Sequence, residues 1–525
     1  MKVLVEVVGL VAVIFVVSAV SRRLGLLVPV VLVLVGLGLS LVPGLPVLSL
    51  NNPDVVLIGI LPPLLYVAAL QISVPAFRFN LRSILLLGVG LVIFTTVAVG
   101  VVVHVVLPSV PLAACLALGA VVAPPDAIAA TAVARRIGLP RRVVTVLEGE
   151  SLINDATALV LFRVSVAAAV GASVSAGAIT REVVLAAGGG IAVGAVAAVA
   201  IGYLHRKITE PLFDNALSLL TPFLVVLVAE LAHASAVVAV VVTGLYLGHR
   251  WPTLMSAASR LQMEAFWRMV NFLLEGAVFL LVGLQLRRVV TELSTPPKTA
   301  VLVTVAVLGT VVVTRVVWIF PTTYLPRLIP SVRRRDPAPS PKVPAVIAWA
   351  GMRGVVTLAA ALALPLTLAG GAAYPRGLFV WLAFAVIIAT LALQGATLPW
   401  VARRLRVPPD DPTEDALAEA AVQHSASRAA RARLDELADG APPNVVDRLR
   451  ELADQRANVA WERLASNGRE TPSQAYVRLR RHMLEAEREV FRTARDEGRI
   501  AEEVLRRAQR DMDLEESMLD RTGES

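Results

Sequence analysis

Long apolar runs, separated by short polar segments, dominate the first 407 residues of this 525-residue chain. Each run is near the ~20 residues that an α-helix needs to cross the hydrocarbon core of a bilayer. The pattern predicts an all-α polytopic membrane protein with about thirteen membrane-spanning helices. The predicted spans are residues 3–20, 26–45, 54–72, 83–107, 111–134, 143–170, 182–204, 213–231, 234–249, 266–286, 299–320, 343–369 and 377–401.

The loops between these spans differ in their content of arginine and lysine. Alternate loops are rich in arginine, as in residues 135–142 and 327–342, whereas the opposite loops carry few basic residues apart from Arg287, Arg288 and Lys298. By the positive-inside rule the arginine-rich loops are cytoplasmic, so we expect the N-terminus outside and the C-terminus inside the plasma (inner) membrane. The net charge of +9 therefore indicates orientation in a bilayer rather than binding to nucleic acid.

The composition changes after residue 407. Residues 408–525 are rich in Arg, Glu, Asp and Ala and contain no Lys. Charges at three- and four-residue spacing are typical of solvated helical faces. We predict a membrane domain over residues 1–407 and a small cytoplasmic helical domain over 408–525, with helices at 412–438, 442–466, 472–497 and 499–520. A stabilising role and a regulatory or dimer-supporting role both remain open for this tail.

Several polar residues interrupt the sixth apolar run, at residues 147–162. An ionised carboxylate at membrane depth costs roughly 2.5–3.5 kcal/mol on insertion scales, so carboxylates there usually belong to an ion or proton path. On a helix, Glu150 and Asn154 stand four residues apart, as do Ser151 and Asp155, so the two pairs form neighbouring stripes. Their oxygens suit a small hard cation such as sodium or lithium. Glu148 is a candidate for the cytoplasmic mouth of the path.

Two further spans carry a charged residue beside helix-breaking residues. Asp126 follows Pro124-Pro125, and Arg353 lies between Gly351 and Gly354. Proline breaks a regular helix, and broken helices near the membrane midplane line the ion sites of secondary transporters. We therefore predict that both segments are unwound at the ion site.

Arginine cannot lose its charge, so a buried Arg315 or Arg353 needs a carboxylate or several carbonyl oxygens. The acidic residues available at membrane depth are Asp126, Glu150, Asp155 and Glu275. We interpret some of these as structural partners of the arginines and Asp155 as the group left to titrate. For Glu275 a structural contact and a place on the ion path both remain open.

Motifs of enzymes are absent from the chain: there is no HExxH zinc helix, no phosphate-binding P-loop and no GxSxG elbow. We expect no enzyme activity and no cofactor. An aspartyl membrane protease would need Asp126 and Asp155 as a pair sharing a proton, and the neighbouring Asn154 and the arginines argue against it. A membrane-anchored sensor that signals through the helical tail is a further alternative.

Two segments resemble sodium/proton antiporters of the NhaP/NHE kind, within the cation:proton antiporter superfamily: residues 117–162, ALGAVVAPPDAIAATAVARRIGLPRRVVTVLEGESLINDATALVLF, and residues 349–365, WAGMRGVVTLAAALALP. The resemblance extends over roughly residues 1–405. It implies thirteen spans, two inverted repeats, a homodimer, and two unwound helices that cross near the ion site.

The resemblance also implies roles for single residues. Asp155 matches the aspartate that binds the cation and the proton, Asn154 matches its partner, and Ser151 matches a co-ligand. These three would hold Na⁺. Asp126 and Arg353 match the crossing segments.

The remaining match concerns the structural charges. Glu150 matches a carboxylate that pairs with an arginine, which we place at Arg315. Together with Arg353 these residues would form a structural charge network.

The chain departs from the family pattern at two places that bear on the cation. Members often carry Thr-Asp-Pro where this chain has Pro125-Asp126-Ala127, so the carbonyl of Pro125 would replace a threonine ligand. Members also often carry an acid after Leu-Pro-Pro-Leu-Leu, whereas Leu61–Leu65 is followed by Tyr66 and Val67. We expect sodium, with potassium and lithium as alternatives.

The expected function is electroneutral Na⁺/H⁺ antiport by alternating access. Electrogenic members of the family carry a second aspartate at the position of Asn154. The amide of Asn154 cannot bind a proton, so Asp155 alone would exchange one. The alternative of the same fold is a K⁺/H⁺ exchanger or a mixed Na⁺, Li⁺ and K⁺ exchanger.

Overall fold

The computed structural model describes residues 2–43, 55–171, 176–439, 441–465 and 470–524. These residues are almost wholly helical, and the described chain holds no strand beyond an isolated bridge between Thr367 and Ala373. Clustering of the backbone divides the chain into two compact units, Met1–Pro409 and Asp410–Ser525. The boundary drawn from composition, after residue 407, lies close to this division.

The first six helices of the first unit precede an unwound segment: α1 (Lys2–Arg23), α2 (Val28–Ser40), α3 (Leu61–Gln71), α4 (Val74–Leu85), α5 (Val92–Val106) and α6 (Leu112–Val122). Next come α7 (Ala127–Arg136), α8 (Arg141–Ala169), α9 (Ala176–Lys207), α10 (Pro211–Leu231), α11 (Ala236–Leu254), α12 (Ala257–Leu284), α13 (Leu286–Thr291) and α14 (Pro297–Tyr324). The unit continues with α15 (Pro330–Arg335), α16 (Lys342–Trp349), α17 (Val355–Leu362), α18 (Arg376–Thr390) and α19 (Ala396–Leu405). Short π-helical turns are found at Val55–Ile60, Leu86–Leu91 and Leu391–Gly395, and 3₁₀ turns at Leu325–Leu328 and Ala369–Gly371.

The predicted spans fall on these helices. Within the described part of the chain, eight helical segments are long and apolar enough to cross a membrane, and α2, α3 with its preceding turn, and α6 are shorter apolar helices. The count of thirteen spans stays a prediction. The predicted span ends at residues 44–45 and 54, and residue 466 of a predicted tail helix, lie outside the described residues.

Two helices begin about nine residues before the predicted spans, because polar caps start them ahead of the apolar run. The hydroxyl of Ser73 accepts from the backbone of Ala76, and α4 continues through the π-helical turn into α5. The hydroxyl of Ser256 likewise accepts from the backbone of Ser259 at the start of α12. Such caps satisfy backbone donors that an apolar pattern does not report.

Two of the predicted spans are interrupted at the expected positions. Residues 123–126 separate α6 from α7, and residues 350–354 separate α16 from α17. The two interruptions contact each other, since the backbone N–H of Asp126 donates to the carbonyl of Met352 at 2.7 Å. We call residues 123–126 the first break and residues 350–354 the second break.

Helices α2 and α12 pack with their backbones in close contact at Gly36 and Gly283. A Cβ on Gly36 would lie 2.5 Å from the carbonyl oxygen of Leu280 in α12, which is closer than real Cβ atoms approach other atoms, and 3.0 Å from the Cα of Gly283. Only glycine fits at such a crossing, because any side chain would force the helices apart.

The second unit contains α20 (Pro412–Leu437), α21 (Pro443–Ala465), α22 (Pro472–Asp496) and α23 (Glu502–Glu524). Helices α22 and α23 share a small apolar core of Val477, Leu484, Met512 and Leu519. Arg480 bridges the same two helices, since its guanidinium lies 2.6 Å from Glu515. The last helix begins three residues after its predicted start and ends four residues later than predicted.

Candidate functional site

Helix α8 carries the polar residues of the sixth predicted span into the interior of the first unit. Glu150, Asn154 and Asp155 are all buried, and Ser151 is half-buried. The i, i+4 spacing sets Glu150 and Asn154 on one stripe and Ser151 and Asp155 on the next. The helix therefore presents four oxygen-bearing side chains towards the two breaks.

Asn154 connects α8 to the first break. Its side-chain Nδ2 donates to the carbonyl of Pro125 at 2.7 Å. A carbonyl can only accept, so this contact fixes the amide nitrogen towards Pro125 and directs Oδ1 elsewhere. That Oδ1 is buried and has no hydrogen-bond partner in the described structure. An unsatisfied buried acceptor costs free energy unless a ligand, a water molecule or an ion completes it.

Asp126 closes the first break by capping the helix that follows. Its Oδ1 accepts from the backbone N–H of Ile128 at 2.8 Å, at the start of α7. The carboxylate also packs against Gly354 of the second break so closely that a Cβ on Gly354 would overlap it. Asp126 is thus a junction between both breaks.

Glu150 and Arg315 form a buried ion pair. Arg315 Nη1 lies 2.5 Å from Glu150 Oε1, Nη2 lies 3.0 Å from Oε2, and both side chains are about 1% exposed. Arg315 also donates to the carbonyls of Ile347 and Ala350, at 3.2 and 3.3 Å. The pair therefore joins α8 and α14 to the start of the second break, in the arrangement that the resemblance implied.

Arg353 is satisfied by backbone carbonyls rather than by a carboxylate. Its guanidinium donates to Val122 and Ala123, at 3.1 and 3.4 Å, and also to Gly351. Its backbone N–H donates to the hydroxyl of Thr390 at 3.0 Å. Among the described residues no carboxylate lies within hydrogen-bonding distance of Arg353. Of the two kinds of partner expected from the sequence, the structure shows carbonyls.

A cavity of about 260 Å³ reaches Asp155 and the first break. Asp126, Pro125, Ser151 and Glu275 also line it. Glu275 lies on α12, where Asn271 donates to its Oε1 at 2.6 Å. Most of the candidate ion-site residues therefore line a single cavity. Glu275 reaches it from α12, whereas Asp155 reaches it from α8.

An ion pair lines the same cavity at its solvent-accessible end. Arg135 Nη2 lies 2.6 Å from Glu148 Oε1, and the side chains are 61% and 22% exposed. Glu148 lies at this end of the cavity, where Arg135 offsets its charge. The pair therefore has no net charge to attract cations.

Sequence reasoning missed Arg135 and Asn271 as neighbours of the site. Arg135 was assigned only to the orientation of the chain, although Glu148 follows it by thirteen residues across a short turn. It also missed a buried polar pair away from the cavity, where His205 Nδ1 lies 2.9 Å from Asp214 Oδ1 and joins α9 to α10. The sequence around His205 and Asp214 contains no motif that would have singled them out.

Similarity to known proteins shows the family of this chain. A family model described as the transmembrane sodium/hydrogen exchanger matches residues 10–404, more than three quarters of the chain. The chain belongs to the sodium/hydrogen exchanger family. This exchanger is therefore a multi-pass membrane protein that carries out cation/proton antiport, and the protease and sensor alternatives lose their basis.

Two relatives show how far the similarity of this exchanger extends. An uncharacterized Na⁺/H⁺ exchanger of Mycobacterium bovis is 38% identical over 98% of this chain and 96% of its own length. A sodium, potassium, lithium and rubidium/H⁺ antiporter of Bacillus pumilus is 30% identical over 74% of this chain and 60% of its own length. Both are transporters by name rather than enzymes.

The fold of the exchanger is also that of a solved structure. The sodium proton antiporter MjNhaP1 of Methanocaldococcus jannaschii superposes with a TM-score of 0.59, covering 77% of this chain and 99% of that protein. Because the sequences are only 18% identical, this likeness concerns the fold alone.

Proposed function

We propose that the exchanger moves Na⁺ and H⁺ in opposite directions, with Asp155 as the site that either ion occupies in turn. The observation that carries this proposal is the position of Asp155, buried in α8 and yet lining the cavity. The neighbouring Oδ1 of Asn154 is buried without a partner. A carboxylate and an amide oxygen are ligands that a hard monovalent cation accepts.

The competition at Asp155 supplies the coupling. A protonated Asp155 has lost the charge that attracts Na⁺, and a bound Na⁺ opposes protonation of the carboxylate. Ser151, one helical turn away and lining the same cavity, would add a hydroxyl oxygen. The carbonyl of Pro125 already accepts from Asn154, so it would contribute to a cation site only through its second lone pair.

The proposed stoichiometry is one Na⁺ for one H⁺. Asn154 cannot titrate, and Glu150 is held by both nitrogens of Arg315. Asp126 caps α7 and lies against Gly354, in a structural position. Asp155 is then the group that cycles. Glu275 is the cavity carboxylate whose titration would raise the count to two protons.

We further propose alternating access between the two sides of the membrane. Two interrupted helices, α6 with α7 and α16 with α17, lie in the two halves of the first unit and meet at their breaks. Such a pair is what inverted repeats would produce. The mouth at Arg135 lies in an arginine-rich loop, so the cavity would open to the cytoplasm under the predicted orientation. A homodimer remains part of the proposal.

Sodium is the proposed cation, and a mixed exchanger is the second candidate. The relative from Bacillus pumilus is named for sodium, potassium, lithium and rubidium, which favours the second. The absence of an acid after Leu65 leaves the cavity with fewer charges to select among cations.

The test is a proton-flux measurement in inverted membrane vesicles that contain the full chain. Addition of Na⁺, Li⁺ or K⁺ to vesicles with a preformed pH gradient should dissipate the gradient, with the largest response to Na⁺. Asp155→Asn should abolish the response to every cation, because an amide cannot carry a proton. Glu230→Gln is the matched control, since Glu230 is 52% exposed and remote from the cavity lining. Substantial Na⁺-driven flux in correctly inserted Asp155→Asn would refute the assignment.

Stoichiometry needs proteoliposomes in which potassium and valinomycin fix the membrane potential. An electroneutral cycle should show a Na⁺-driven rate that does not depend on that potential. A steep dependence would indicate a second proton. If Glu275 carries that second proton, Glu275→Gln should make the Na⁺-driven rate independent of the membrane potential.

A further inference from the structure

A cluster of three arginines surrounds one carboxylate on the side of the first unit where α4 ends and α8 begins. Asp336, between α15 and α16, accepts from Arg82 of α4 at 2.7 Å, from Arg142 of α8 at 2.6 Å, and from Arg327 at 2.6 Å. Arg142 also donates to the buried side chain of Asn80 at 3.1 Å. Three separate segments of the chain therefore meet at this point.

The cluster carries an excess of positive charge. Burial opposes ionisation of Asp336, but hydrogen bonds from Arg142 and Arg327 outweigh it and hold the pKa of this carboxyl below its ordinary value. Asp336 thus contributes one full negative charge against three guanidinium groups. Segments 73–85, 138–147 and 325–342 together contain nine Arg or Lys residues and one acidic residue. An anion would complete the balance.

A cavity of about 140 Å³ lies beside the arginines. Arg142 and Arg327 line one part of it, and the rest is mainly apolar, with Leu86, Val146 and Ile347 among the lining residues. Arg327 is itself 5% exposed, so one guanidinium of the site is built into the interior rather than displayed on the surface. A mixed lining of this kind suits a ligand with a charged end and an apolar end.

The surface around the cluster is apolar and uncovered within the first unit. Leu328 and Ile329, next to Arg327, are 76% and 55% exposed. Phe79 is 65% exposed, and the guanidinium of Arg142 lies 5.6 Å from the centre of its ring. Exposed apolar side chains beside arginines indicate a position at the boundary between the bilayer and its headgroups.

We propose that this cluster binds the phosphate of an anionic phospholipid, with the beginning of the acyl chains over the apolar lining and the exposed apolar side chains. The charge excess calls for an anion, and the adjoining apolar surface favours a lipid over free phosphate. The predicted cytoplasmic side of the membrane is also where anionic lipids attract basic residues. Because α8 and α14 also carry Asp155 and Arg315, the lipid would brace the helices that hold the candidate ion site. The proposal does not depend on which cation is transported.

The test is native mass spectrometry of the full chain in detergent, titrated with phosphatidylglycerol or with phosphatidylcholine. The wild-type protein should retain phosphatidylglycerol in preference to phosphatidylcholine. Arg142→Gln should weaken that binding about fivefold, the effect expected of one basic side chain at an anionic lipid surface. Arg404→Gln is the matched control: it removes the same charge from an exposed arginine that lines neither this cavity nor the candidate ion site.

A second variant guards against misfolding of Arg142→Gln. Ser83 is a small residue in the lining, so Ser83→Phe should fill the cavity while keeping every arginine and Asp336. It should abolish the preference for phosphatidylglycerol. Inorganic phosphate at the same concentrations should leave the apparent melting temperature unchanged, whereas phosphatidylglycerol should raise it.

Three outcomes would overturn the proposal. Equal retention of the two lipids by the wild-type protein would show that no anionic site exists. An equal loss in Arg404→Gln would assign the effect to overall surface charge. Stabilisation by inorganic phosphate as large as that by phosphatidylglycerol would make the cluster a site for free anions rather than for lipid.

Discussion

Removal of the charge of Glu150 offers a direct measure of what holds α8 to α14. Glu150→Gln keeps the shape of the side chain but removes the negative charge and replaces one of the two oxygens that accept from Arg315 with an NH₂ donor. The guanidinium keeps the amide oxygen and the carbonyls of Ile347 and Ala350 but has no counter-charge. Both partners are about 1% exposed and bonded through two nitrogens, so water cannot replace the lost charge. Breaking a buried pair in this way typically costs about 3–5 kcal/mol.

The loss can be expressed as a melting temperature. For the 409 residues of the first unit, an unfolding entropy of about 2.1 cal/mol/K per residue converts this cost into a decrease of about 3–6 °C. The assay is thermal unfolding of the purified protein in detergent, followed by tryptophan fluorescence. The exposed pair Glu230–Arg163, with an N···O distance of 3.5 Å, is the control. Glu230→Gln should shift the transition by about 1 °C or less, because exposed pairs contribute about 0–1 kcal/mol.

A double variant separates the lost pair from an uncompensated charge. Glu150→Gln combined with Arg315→Met removes both charges and should recover most of the lost stability, since replacing a whole buried pair is often neutral. The reasoning fails if Glu150→Gln melts within 1 °C of the wild-type protein. It also fails if the double variant melts at a lower temperature than Glu150→Gln, because the two substitutions would then destabilise the protein independently.

Three further variants test other parts of the structure. Arg353→Ala should melt at a lower temperature, because the carbonyls of Val122 and Ala123 lose their donor at about 1–3 kcal/mol each; an unchanged melting temperature would mean that those carbonyls find other donors. Gly354→Ala should reduce exchange strongly in correctly inserted protein, because its methyl group would overlap the carboxylate of Asp126; flux equal to wild type would show that the two breaks can separate without cost. Deletion of residues 410–525 should leave Na⁺-driven proton flux measurable while changing its pH profile or the stability of a dimer, since every candidate ion residue lies in the first unit; complete loss of flux in inserted protein would place the tail within the transport machinery.

The positions of the helices could be predicted from the sequence because apolar length decides whether a segment enters a bilayer. The two breaks could also be predicted, since Pro124 and Pro125 remove backbone donors and glycines surround Arg353. The starts of α4 and α12 could not, because the serine caps Ser73 and Ser256 set them ahead of the long apolar runs. The apolar pattern does not predict the π-helical turn at Leu86–Leu91 either, because this turn lies within a continuous apolar run.

The ion pair of the candidate site could be predicted because few charged residues lie in the predicted membrane spans. Few carboxylates lie at membrane depth, so Arg315 had few partners available, even though Glu150 stands 165 residues away along the chain. The carbonyl partners of Arg353 were less accessible to sequence reasoning, because they depend on the direction of an unwound backbone. The arginines around Asp336 were interpreted only as markers of orientation, since a charge count carries no information on which loops meet.

The hydrogen bond from Asn154 to Pro125 limits what this position can become. An ionised aspartate has no hydrogen to offer, and its charge would face a carbonyl oxygen that now lies 2.7 Å from the amide nitrogen. A protonated aspartate could keep the contact through its own O–H. In such a variant the proton would form the hydrogen bond between α8 and the first break, and deprotonation would break that bond. In this chain the donor is an amide that does not titrate, so the hydrogen bond to Pro125 does not require a proton to bind at residue 154.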